Sequence, residues 1–300
     1  MRSIPVILSI PLFSALLITL PPVQDLFTPS PETLERLMIE SVNTPPPPEP
    51  IHLDLPYRRT LLRTHRLDIY EPTVSYERGA APVVVFLHGG SWIKGDKITI
   101  RVVDRFLSRM REQGYFVIGV NYTTSALKGL SGPLENVKEA IRWIGDHAER
   151  YGYDPERLGL YGVSAGGHLA LMAISTMEPE RVRFSFAFVE CAPTDLIGMR
   201  NGDAFENARV FKPFPERRLK KLSPINYVSK ELPPILVFHG DADRTVHIDQ
   251  SVRYVEAVQS VGGEAELVRY PGGDHVFLNY SDAMWYRQET RALEFFEERL

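Results

Sequence analysis

The chain has 300 residues, enough for one large α/β domain or two small ones. Its 44% apolar and 24% charged residues are globular values, which exclude a disordered or fibrous chain. A net charge of −4 with no basic run interleaved with aromatics gives no ground to expect nucleic acid, and the single Cys191 excludes an internal disulfide and a cysteine-based metal site.

Residues 1–20 carry one positive charge, Arg2, ahead of an uncharged apolar run over 4–20. This reads as a signal sequence or N-terminal membrane anchor, so the protein is expected to be exported (secreted or periplasmic) or membrane-attached. No small-x-small cleavage site precedes Pro21-Pro22, and no cysteine follows to carry a lipid. Residues 21–56 read as a Pro-rich linker. Ser30 caps a short helix to about Glu40, and a polyproline spacer runs from Thr44 to Pro50.

The folded domain is expected over 57–300. Short strands are predicted at 61–62 and 67–70. The continuous apolar run 83–87 marks a strand covered on both faces. A helix over 97–113 and a strand over 115–122 follow. Pro133 starts a helix to 151 whose Leu134, Val137, Ile141 and Ile144 share one face. A strand over 157–161 precedes a buried helix over 168–174. Further strands are predicted at 184–189, 235–239 and 264–270, and helices at 249–261 and 283–300. This alternation is that of a largely parallel sheet with helices on both faces, in which sites lie at the carboxyl ends of strands. Residues 194–228, rich in Arg, Lys, Phe and Pro, break the alternation and read as a cap inserted over the site.

Four sequence features fall at those strand ends. Gly162-Val163-Ser164-Ala165-Gly166 joins a strand to a helix in the G-x-S-x-G pattern, where only glycines at the flanks avoid collision and the serine is pushed clear of the sheet. Upstream, His88-Gly89-Gly90-Ser91-Trp92 follows the buried strand. The amides of Gly89 and Gly90, with Ser91 as an alternative, would join that of Ala165 as an oxyanion hole. Two aspartates, Asp241 and Asp243, follow the strand at 235–239; Asp243 is expected to orient a histidine and Asp241 to brace the turn. His275, in a Gly-rich loop after the last strand, has the chemistry of a general base near neutral pH. The neighbouring His239 and His247 read as structural or surface residues, and Cys191 as a small buried hydrophobe.

The order Ser164, Asp243, His275 is that of α/β-hydrolases. From about residue 60 onward the chain resembles the esterase/lipase type of that fold, close to the hormone-sensitive-lipase-like and BD-FAE-like groups. His88-Gly89-Gly90-Ser91-Trp92 resembles the HGGxW form of the oxyanion motif rather than the HGGGF of typical hormone-sensitive-lipase relatives. Asn121-Tyr122 with 132–137 resembles another conserved stretch, although Thr123-Thr124-Ser125-Ala126 replace its RLAP part. Cys191 to Leu196 resembles the segment after the sixth strand. The resemblance implies a cofactor-free serine hydrolase with a Ser164–His275–Asp243 triad, acting on a small-molecule carboxylic ester through an acyl-enzyme. The HGGxW form also occurs in arylformamidases, which makes amide cleavage the alternative. A non-catalytic binding protein on the same fold is the reading from a different class. A peptidase of the prolyl-oligopeptidase type would need propeller repeats, for which the leader is too short. Acyl and alcohol specificity and oligomeric state leave no sequence signal. Phe205, Phe211 and Phe214 read as the cap's own core, and Arg217, Arg218, Lys220 and Lys221 as a solvated face.

Overall fold

The computed structural model describes residues 51–300 except 61, 78, 103, 125–129, 179–181 and 202–210. The expected leader, the short helix from Ser30 and the polyproline spacer lie outside the described residues. One eight-stranded sheet runs in the order β1-β2-β4-β3-β5-β6-β7-β8. The strands are β1 (His52–Pro56), β2 (Arg66–Tyr70), β3 (Ala81–Leu87), β4 (Phe116–Val120), β5 (Tyr153–Val163), β6 (Phe184–Glu190), β7 (Ile235–Gly240) and β8 (Ala265–Tyr270). β1 and β2 are antiparallel to their neighbours, and every pair from β4 to β8 is parallel.

The helices are α1 (Thr99–Val102), α2 (Asp104–Glu112), α3 (Ser131–Tyr151), α4 (Ala165–Thr176), α5 (Leu196–Asn201), α6 (Glu216–Lys221), α7 (Asp249–Ser260) and α8 (Asp282–Arg299). They cover both faces of the sheet, which explains the uninterrupted apolar strands. Along β3, Val83, Val85 and Leu87 face a core shared with α3, α4 and α7. Val84 and Phe86 face a second core, built on α2 and α8 around Phe106, Phe186, Phe188 and Phe296. The same alternation holds on β6 and β7, so each strand feeds two layers.

Two expectations need correction. The sheet begins at His52, inside the segment read as linker. β1 is an irregular edge strand whose register shifts between His52 and Leu55. It is held by Lys97, whose Nζ donates to Asp54 Oδ1 at 2.8 Å and lies 3.1 Å from Asp68 Oδ2. Pro56 is tolerated because an edge strand need not donate at every position. Leu62, by contrast, is exposed and lies in no strand. The insertion at 194–228 carries α5, α6 and a 3-10 turn, Pro224–Tyr227. Phe211 is fully buried, Phe214 is half-buried, and Phe205 lies outside the described residues.

Candidate active site

β5 hands its chain to α4 through Ser164, at φ 52° and ψ −116°. That backbone is unfavourable for any side-chain-bearing residue and is held by its surroundings. The Ser164 N–H donates to the Glu190 carbonyl at 2.7 Å, and the Ser164 carbonyl accepts from the His168 N–H at 3.0 Å. The flanking glycines are sterically required. A Cβ on Gly162 would lie 2.5 Å from the Gly166 carbonyl oxygen, and one on Gly166 would overlap the Leu87 carbonyl. Among the described residues, the non-glycine positions with positive φ other than Asp54 all lie at this site: Ser91, Trp92, Ser164, Cys191, Val276 and Phe277. Backbone strain is concentrated beyond the ends of four strands, β3, β5, β6 and β8.

The three side chains expected to act together are brought together. His275 Nε2 lies 3.0 Å from Ser164 Oγ, and His275 Nδ1 lies 2.7 Å from Asp243 Oδ2. Because a carboxylate only accepts, Nδ1 carries the proton and donates it to Asp243, leaving Nε2 to accept from the serine. Asp243 Oδ1 accepts from the Thr245 and Val246 amides at 2.8 and 2.9 Å. Asp241 braces the turn, accepting from the Gly272 N–H at 2.7 Å. Burial opposes the charge on Asp243, but hydrogen bonds from His239 and His275 outweigh it and hold the carboxyl well below its ordinary range.

His239 is more than a bystander. It is buried, and its Nε2 lies 2.8 Å from the Val246 carbonyl and 3.2 Å from Asp243 Oδ2. The carbonyl accepts, so Nε2 carries the proton, and Nδ1 accepts from Ser251 Oγ at 2.6 Å. No sequence signal separates this histidine from a structural one, because Ser251 arrives from α7. His247 is half-buried at the surface beside Asp249.

The loop after β3 places Gly89 against the serine: a Cβ there would sit 3.3 Å from the Val163 carbonyl oxygen and 3.5 Å from Ser164 Cβ. Gly90 adopts φ +119° in a turn where its carbonyl accepts from the Ile93 and Lys94 amides. Among the described residues neither the Gly89 nor the Gly90 N–H has a protein acceptor. Ala165 opens α4, so its N–H belongs to the donors that no helical carbonyl reaches. The Tyr122 hydroxyl anchors the loop from β4 by donating to the His88 carbonyl at 2.5 Å, with the two rings stacked 4.2 Å apart.

Cys191, His239 and Asp243 bring one potential metal ligand each within 4.8 Å. The donor set does not suit an ion. Both imidazole nitrogens are engaged and the carboxylate already has its donors, while burial pushes the Cys191 thiol well above its usual range.

A strained serine at a strand-to-helix elbow, on an eight-stranded sheet of this order, defines an α/β-hydrolase. The BD-FAE family model matches residues 67–258, and the chain belongs to that family. It is 28% identical over 242 residues to the isoprenylcysteine alpha-carbonyl methylesterase ICME of Arabidopsis thaliana, covering 73% of this chain and 56% of that protein. It is 28% identical over 235 residues to the probable carboxylic ester hydrolase LipM of Mycobacterium tuberculosis, covering 72% and 54%. The chain thus spans about half the length of these curated relatives. Among solved structures, a propionate-bound thermophilic esterase, Est2 of Thermogutta terrifontis, aligns with a TM-score of 0.68 at 26% identity, covering 84% of this chain and 96% of that one. A truncated carbohydrate esterase from gut microbiota shares the fold, with a TM-score of 0.70 at 24% identity over 85% and 99% of the two chains.

Proposed function

We propose that this chain is a carboxylic-ester hydrolase that works through an acyl-enzyme on Ser164. The observation that carries the reading is the unbroken hydrogen-bond path from Ser164 Oγ through His275 to Asp243, set on a strained elbow. The esterase names of its relatives point the same way.

The proposed steps use the residues as they are placed. His275 Nε2 takes the Ser164 hydroxyl proton as Oγ bonds to the ester carbonyl carbon, and the carbonyl π pair moves onto oxygen. The amides of Gly89, Gly90 and Ala165 donate to that oxyanion. Each such donor typically contributes about 3 kcal/mol to the transition state. The tetrahedral centre collapses, the bond to the alcohol oxygen breaks, and His275 gives that oxygen its proton. Water then attacks the acyl-enzyme, loses a proton to His275, and the second collapse returns the proton to Ser164 as the acid leaves. Asp243 stays ionised throughout, fixing the tautomer and stabilising the imidazolium.

The test is labelling with a fluorophosphonate probe alongside hydrolysis of p-nitrophenyl acetate. Wild-type protein is expected to do both. Ser164→Ala is expected to lose labelling entirely and turnover by about 10⁴-fold or more. Folded wild-type protein that neither labels nor hydrolyses would sink the proposal.

A further inference from the structure

One buried histidine joins three parts of the site that the triad does not connect. His168 lies in the first turn of α4, and its backbone N–H donates to the Ser164 carbonyl at 3.0 Å. Its Nδ1 accepts from the Trp92 indole Nε1–H at 3.3 Å, and Trp92 closes the loop that carries Gly89 and Gly90. Its Nε2 lies 2.7 Å from the Leu222 carbonyl, in the insertion between β6 and β7. Leu222 caps α6, and Ser223 beside it accepts from the Leu196 amide, tying this carbonyl to the start of the insertion.

The two contacts admit one protonation state. The Leu222 carbonyl only accepts, so Nε2 bears hydrogen. The indole only donates, so Nδ1 must be bare. Burial pushes the imidazole down to about 4, against the hydrogen bond to Leu222, which keeps it neutral across ordinary working pH.

The loop it holds needs holding. Ser91 and Trp92 are consecutive residues at φ 53° and 59°, a conformation that persists only where packing imposes it. The Trp92 ring is edge-on to both His168, at 5.1 Å, and Phe211 of the insertion, at 5.5 Å. Tyr122 secures the other end of the loop at His88. Gly89 and Gly90 are therefore strung between two anchors, one on the sheet and one on His168.

We infer that His168 is a positioning residue: it latches the Trp92 end of the oxyanion loop to the nucleophile helix and to the Leu222 carbonyl of the cap, and so keeps the Gly89 and Gly90 amides aimed. This rests on the ester-hydrolase reading above. A latch contributes to the transition state more than to substrate affinity, because its loss misaims donors without removing a binding contact.

The test combines kinetics on p-nitrophenyl acetate with 15N NMR of the indole N–H groups, in which the Trp92 signal is assigned by its absence in Trp92→Phe. His168→Leu, which keeps the bulk and removes both polar contacts, is expected to lower kcat roughly 10- to 100-fold with KM changed less than about threefold. Trp92→Phe removes the donor, along with part of the buried ring packed on His168 and Phe211, and is expected to lower kcat similarly. The double variant is expected to fall no further than the worse single one, as for members of one unit. His168→Gln, whose amide both accepts and donates, is expected to recover most of the loss and the Trp92 indole shift. Additive losses, a kcat within twofold of wild type in His168→Leu, or an unmoved Trp92 resonance would overturn the latch. If His168→Leu does not fold, Trp92→Phe decides by kcat and His168→Gln by kcat and the Trp92 indole shift, a normal kcat in the first or a displaced indole in the second overturning the latch. Because the indole shift does not depend on turnover, it separates failure of the latch from failure of the esterase reading, which wild-type labelling reports.

Discussion

Two buried carboxyl groups sit at neighbouring strand ends beneath the serine, and they hold their protons differently. Asp243, after β7, takes two backbone amides on one oxygen and two imidazoles on the other, and its carboxyl is held well below the ordinary range. Glu190, the last residue of β6, is equally removed from water. Among the described residues its side chain accepts one hydrogen bond, from the Tyr161 hydroxyl at 3.0 Å. Burial pushes it up to about 7; the Tyr161 hydrogen bond pulls downward and the nearby Glu289 adds to the rise. Burial alone therefore does not decide charge. The donors supplied by the fold do: Asp243 receives four and Glu190 one.

The sharpest way to break this contrast is Asp243→Asn. The amide keeps the shape but can no longer accept everywhere that the carboxylate does, so His275 is free to adopt the wrong tautomer. The expected loss in kcat on p-nitrophenyl acetate is about 10⁴-fold, with fluorophosphonate labelling slowed in parallel. Retention of more than a tenth of wild-type turnover would show that Asp243 does not orient the base.

A smaller effect is expected from His239→Leu. It removes one donor from Asp243 and leaves the Val246 carbonyl and the Ser251 hydroxyl without this partner. Buried groups orphaned in this way cost roughly 1–3 kcal/mol. There is also a pH signature. The carboxyl of Asp243 lies below its ordinary 3.8, so its stabilisation is present above that value and is lost as pH falls towards the folded-state pKa. With one donor gone that contribution shrinks, and acid unfolding should begin at a higher pH than in wild type. An unchanged acid midpoint, followed by circular dichroism, would count against the donor argument.

The same contrast shows what was legible in the sequence. The central strands β3, β4, β6 and β7 were readable because they are sealed on both faces and written as apolar residues bounded by turns, and the edge strand β8 because its apolar Leu267 and Val268 lie between turn signals. The triad was readable because its members follow three strands in the order the fold requires. β1 was not, since its short, Pro-ended edge sequence alternates apolar and polar residues, pairs irregularly with β2, and is braced by Lys97, which arrives from a distant loop to meet Asp54 and Asp68. The partners that tune the site were hidden for a related reason. His239 meets Ser251 from α7, His168 meets Trp92 and Leu222 from two other segments, and Glu190 meets Tyr161 from β5 and Glu289 from α8. Each of these contacts joins residues whose nearness only the assembled sheet creates, whereas Gly162 and Gly166 reveal their strain within five residues of chain.

The last prediction tests the poorly provided carboxylate. Glu190 lines a small cavity with Tyr161, Gln288, Glu289 and the aromatic rings of Phe106, Phe188, Phe238 and Trp285. Gln288 and Glu289 face it from α8, and Arg109 of α2 already pairs with Glu289 at 3.0 Å, while among the described residues the Gln288 Nε2 has no partner. A carboxyl raised from its usual 4.5 to about 7 favours the fold in its neutral form. That contribution is therefore full below about pH 4.5 and is lost as pH rises through about 7. Glu190→Gln removes the titration and keeps an acceptor for Tyr161. Its stability, followed by thermal melting, should match wild type near pH 5 and exceed it near pH 8 by an amount on the order of 2 kcal/mol. The Ser164 amide bonds to the backbone carbonyl of Glu190, not to its side chain, so turnover at neutral pH should change less than about threefold. Equal melting shifts at both pH values would mean that the carboxyl does not titrate in this range. A large loss of turnover would mean that its charge reaches the elbow, and that the two carboxylates differ less in role than their hydrogen bonds indicate.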